Sequence, residues 1–64
     1  MELSQWLGKH VKLTRKPPND HIIAYGILIK ARLGNYEVAR DEGGKSDIFK
    51  GDKIEYNGKA FIVK

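Results

Sequence analysis

His10 and His21 are the only imidazoles in this 64-residue chain, and no acidic pair stands at ligand spacing beside either. A metal centre normally draws three or four convergent ligands, so each histidine reads as a surface residue at a strand end. The chain has no cysteine, which excludes thiolate ligation and disulfide staples. Nucleophilic catalysis would need Ser4, Ser46, Thr14 or a lysine to meet a base and an orienting group, and no spacing assembles that set. Gly43-Gly44-Lys45 lacks the preceding strand and following helix of a phosphate-cradling loop. The acids Asp41, Glu42, Asp47, Asp52 and Glu55 fall in or beside turns and hairpin faces, where they read as solvated. The expectation is a protein that is not an enzyme, with no cofactor, no metal and no small-molecule substrate.

The more suggestive set is basic and aromatic. Lys9, Lys12, Arg15 and Lys16 cluster on one stretch, and later turns carry Arg32, Asn35, Tyr36, Lys50 and Lys53. Cations neutralise phosphates, while an aromatic ring or an asparagine near a turn stacks on or hydrogen-bonds an unpaired base. Net charge is +4. Residues 1–32 carry six basic and two acidic side chains and residues 33–64 carry six of each, so the excess sits in the first half, as for one electropositive face. The competing reading is that lysines decorate the outside of any small barrel and aromatics fill its inside. Tyr25, Phe49 and Phe61 are assigned to the core on this basis; Tyr36 and Tyr56 stay open.

These residues must be positioned by an element that can serve as the middle of the fold, and residues 21–31 are the one long, nearly charge-free apolar run. A helix there has Asp20 as N-cap and Lys30 and Arg32 in its last turn. Against it stand four isoleucines, the central Gly26, and an apolar surface all round that a short chain cannot bury. A strand is expected instead, with Ile23, Tyr25, Ile27, Ile29 and Ala31 on one face and Ile22, Ala24, Gly26 and Leu28 on the other. Both faces are apolar, so burial on both sides is expected, with a bend or close backbone approach at Gly26.

The remaining segments follow from local pattern. Leu3, Trp6 and Leu7 share one face of a short helical turn ended by Gly8. Val11 and Leu13 alternate with Lys12 and Thr14, a half-buried strand with a basic outer face. Residues 16–20 (Lys-Pro-Pro-Asn-Asp) read as a turn or exposed loop. A tight turn at residues 32–35 leads into a return strand over 36–40, and a glycine turn leads into a strand over 46–50 carrying Ile48 and Phe49. Asn57-Gly58 between alternating runs marks a type I′ hairpin. No span approaches the ~20 apolar residues that cross a bilayer. The sum is a single all-β domain over residues 1–64, a five- to six-stranded antiparallel barrel with a short N-terminal helical turn, expected to be cytoplasmic and without membrane contact.

The order of features resembles the Sm-like small β-barrels. Leu7-Gly8-Lys9-His10-Val11-Lys12-Leu13 is similar to that family's first strand, and Gly26-Ile27-Leu28 to the Gly-x-Leu of its long bent strand. Phe49-Lys50-Gly51-Asp52-Lys53-Ile54 is similar to its late hydrophobic–Arg-Gly-(Asp/Asn)-x-hydrophobic signature. The resemblance implies RNA held by two loops in a ring of subunits, with Asn35, Tyr36, Lys50, Gly51 and Asp52 at the matching positions. Arg32 stands where that family usually has aspartate, the loop around Gly34 is shorter, and Lys50 replaces the arginine and its planar fork. The same pattern fits a Src-homology-type barrel. The expected function is a non-catalytic module binding RNA or single-stranded nucleic acid through Lys9, Lys12, Arg15, Lys16, Arg32, Asn35, Tyr36, Lys50, Gly51 and Asp52. The alternative is a protein-interaction or assembly module of phage or mobile-element type, self-associating through surplus isoleucine surface.

Overall fold

A computed structural model describes residues 3–16 and 21–64; the expected Pro17-Pro18-Asn19-Asp20 turn lies outside them. The chain forms a 3-10 turn, Leu3–Trp6, and six strands: β1 (His10–Thr14), β2 (Ile22–Lys30), β3 (Tyr36–Arg40), β4 (Lys45–Asp47), β5 (Lys53–Tyr56) and β6 (Lys59–Ile62). All pair antiparallel in one sheet of order β4-β3-β2-β1-β5-β6. The expected all-β architecture with its N-terminal helical turn is therefore present. The sheet does not close into a barrel, however: β4 and β6 are its two edges. At β4 the edge is only three residues long and ends in Lys45 and Asp47, a charged edge that resists further pairing.

Although open, the sheet is strongly curled. Four interstrand spacings of ~4.8 Å separate β4 from β5 in a flat sheet, or ~19 Å. Only residues 48–52 join them, and Asp52 N–H donates to the Phe49 carbonyl at 3.1 Å, which spends four of those residues on a turn. Curling brings Val11 and Leu13 of β1, Ala24 and Leu28 of β2, Val38 of β3 and Ile54 of β5 into one core. Leu3 and Trp6 complete it. A 3-10 turn repeats every three residues, so these two share a face and Leu7 is left exposed. Trp6 meets Tyr56 at a ring-centroid distance of 5.6 Å.

The central run is a strand, as expected, but only one of its faces is buried. Ala24, Gly26 and Leu28 turn inward, while Tyr25 is 47% exposed and Ile22 and Ile27 are also exposed. A single curled layer has one core, so Tyr25 and Ile27 of the second face lie open. A register irregularity opposite Leu13 and Thr14 breaks the alternation, leaving Ile23 packed against the core and Ile22 exposed. Tyr25, assigned to the core from its pattern, belongs to this outer face. Gly26 is a site of close approach: a Cβ there would collide with the Ala39 carbonyl and stand 2.7 Å from its carbon. The β5–β6 hairpin turns on Asn57 (φ 51°) and Gly58 (φ 80°), with Tyr56 paired to Lys59. That is the type I′ geometry expected of Asn-Gly. The fourth strand is shorter than expected: Ile48 packs against the core, but Phe49 leaves the sheet.

Candidate nucleic-acid interface

Phe49 leaves the sheet because its backbone N–H has a better partner than a ladder carbonyl. It donates to Oδ2 of Asp52 at 2.8 Å. The same oxygen accepts from Arg15 Nη1 at 2.8 Å, and Oδ1 accepts from the Lys16 backbone N–H at 3.3 Å. Asp52 has no exposed surface. A buried carboxylate is tolerated only when paired and hydrogen-bonded, and here one guanidinium and two backbone donors meet it. Position beside a turn suggested a solvated side chain; the turn instead folds over it, with Arg15 supplied from the end of the neighbouring strand β1.

This carboxylate organises a corner. It holds Arg15 so that the guanidinium carbon lies 4.8 Å from the centroid of the Phe49 ring. The ring itself is 55% exposed, which corrects its assignment to the core. Gly51 takes φ 92° and donates its N–H to the Val63 carbonyl at 2.7 Å. A Cβ at Gly51 would stand 2.9 Å from Lys16 Cδ, so the missing side chain leaves room for the lysine stem. Lys16 and Lys50, chain neighbours of Arg15 and Phe49, are exposed and form no ion pair among the described residues. Arg15, Lys16, Lys50, Gly51 and Asp52 are thus brought together, and Phe49 is the member that pattern reasoning missed. The available signal was an aromatic immediately before a Lys-Gly-Asp turn, where the aspartate caps the aromatic residue's N–H.

The other candidate residues lie apart. Arg32 and Asn35 are exposed in the β2–β3 turn, closed by Ala31 N–H donating to the Asn35 carbonyl at 2.7 Å. Tyr36 is half-buried against the core, with the Lys30 ammonium 5.8 Å from its ring centroid. Lys30, Arg32, Asn35 and Lys45, without Tyr36, line an open depression of about 500 Å³. The pairings Lys30–Tyr36 and Glu37–Asp47 put this turn and the exit of β4 at the same end of the sheet. Lys12 lies mid-strand, its ammonium 3.4 Å from Glu55, which also takes Lys53 at 3.7 Å. Lys9 is exposed at the other end of β1, ~20 Å along the strand from Arg15 at ~3.3 Å per residue.

Among the described residues no three His, Cys, Asp or Glu side chains gather as metal ligands, and no helix is long and apolar enough to cross a membrane. His10 Nε2 lies 2.8 Å from Asp41 Oδ2 in an exposed pair on the sheet's outer face. Compared with protein-family models, with curated proteins and with solved structures, the chain matches none.

Proposed function

We propose that this chain is a non-catalytic module that binds single-stranded nucleic acid, RNA before DNA, at the Phe49 corner. The observation that carries the reading is an exposed aromatic ring held by a fixed guanidinium, with two exposed lysines next to these residues in the chain that form no ion pair among the described residues. Such a ring offers a base a stacking surface worth ~1–3 kcal/mol, and the lysines neutralise backbone phosphate. Arg15 and Asp52 serve as positioning residues, and Gly51 lets Lys16 lie flat. Arg32, Asn35 and Tyr36, at the end from which β4 exits, extend the path of a strand, with Lys9 and Lys12 contributing to the field. The 3-10 turn entering β1 and the Lys50-Gly51-Asp52 turn entering β5 support including the Sm-like kinship in this proposal.

Fluorescence anisotropy with labelled oligouridine tests it at two salt concentrations. Phe49→Ala is expected to weaken binding roughly tenfold or more, the loss of one stacking contact. Oligouridine that fails to bind at low salt, or that binds Phe49→Ala as well as the parent chain, overturns the reading.

A further inference from the structure

β2 runs on past the end of β3, whose last partner is Gly26, and there it leaves apolar side chains at the surface that the Phe49 corner does not use. Ile22, Ile23, Ala24 and Tyr25 line an open depression of about 330 Å³ with Asp41 and Glu42 of the β3–β4 turn. Ile23 and Ala24 also pack into the core, so its exposed apolar surface is that of Ile22 and Tyr25. Asp41 N–H donates to the Tyr25 carbonyl at 2.9 Å, which ties the acidic turn to the aromatic residue. Nearby cations do not use up these acids. His10 takes one oxygen of Asp41. Arg40 directs its guanidinium toward Gly44, with a Cβ there falling 2.6 Å from Nη2. Glu42 is exposed and forms no ion pair among the described residues.

Aliphatic floor, exposed aromatic ring and two carboxylates define the complement. The stem of a long cationic side chain would lie on Ile22 while its head meets the Tyr25 ring and the acids. A neighbouring apolar side chain would cover the rest of the floor. Phosphate is disfavoured here, because two carboxylates at the rim repel it. We propose that this depression docks a short segment of a partner protein carrying an arginine beside an apolar residue.

The probe is the acetylated, amidated tripeptide Leu-Arg-Leu, titrated into the ¹⁵N-labelled full chain, with counterparts carrying citrulline or glutamate in place of arginine. The expected result is saturable amide shifts at Tyr25, Asp41 and Glu42, with the citrulline peptide about tenfold weaker because it lacks the cation. Glu42→Lys, in an exposed turn, should weaken the arginine peptide about fivefold or more by reversing one rim charge. Tyr25→Ala should do the same through the ring. Should Tyr25→Ala fail to fold, Glu42→Lys decides. The proposal is overturned if those amides do not move, or if the three peptides act alike. It is equally overturned if oligouridine moves the same amides more strongly, or if they shift with protein concentration alone.

Discussion

Asp52 concentrates much of the fold's electrostatic risk in one side chain. Its carboxylate is fully buried and satisfied by one donor from its own turn and two from the end of β1, 36 and 37 residues away. Removing one partner of a buried ion pair costs ~3–5 kcal/mol because the other charge is left uncompensated. Arg15 keeps some solvent contact, its side chain being 20% exposed, which places Asp52→Ala near ~3 kcal/mol. Urea unfolding followed by Trp6 fluorescence measures it; a midpoint equal to that of the parent chain contradicts this role. Phe49→Ala should barely move the same midpoint, since the ring is mostly outside the core. This division was not legible in the sequence. Acids beside turns are usually solvated, and nothing local to Asp52 announces a guanidinium 37 residues away.

At the scale of elements, local chemistry spoke more clearly. Asn57-Gly58 marked its hairpin because two successive positive φ angles admit few other residues. Gly58→Ala is therefore expected to cost ~1 kcal/mol, the price of a Cβ in the left-handed region. Gly26→Ala should cost more, ~3 kcal/mol at the upper end of overpacking, because its new Cβ meets backbone of β3 that cannot swing aside. Thermal unfolding of the two variants checks the order, and equal losses would count against the packing argument. The inward face of β2 was harder to read. With isoleucines on both faces, alternation identifies a strand but leaves both sides as candidates, and only the number of layers decides. The end of β4 was hidden for a related reason: Phe49 has high strand propensity, and a side chain three residues on outcompetes it.

For the whole molecule, net charge and open edges matter most. Each phosphate neutralised by a lysine on a single strand contributes a slope of ~−0.7 to log K against log salt. Contacts from Lys16, Lys50 and Arg32 would therefore give a slope near −2. A slope near zero in the anisotropy titration would mean that the cations do not meet phosphate. Assembly is tested separately by light scattering. A ring is what the proposed Sm-like resemblance implies, and a monomer at all concentrations would count against it. The antiparallel pairings of β2 with β3 and of β5 with β6 were legible, since each of those hairpins declared its own turn. The lack of closure was not, because whether two edges meet depends on total curl, a quantity that no local pattern encodes.

The pairing of β1 with β5 joins Lys12 to Glu55 and Leu13 to Ile54, residues more than forty positions apart. The other four ladders join strands adjacent in sequence. Hairpins close in ~1–10 μs, whereas a loop of this length must be closed before its contacts repay the lost entropy. The β1–β5 seam is thus expected to be the slow, late event in folding, with Arg15 reaching Asp52 only after it has formed. Stopped-flow measurements should find that Asp52→Ala accelerates unfolding and leaves the refolding rate nearly unchanged. A buried ion pair of that kind acts as a latch: it sets how long the folded state lasts and has little influence on how quickly it is reached.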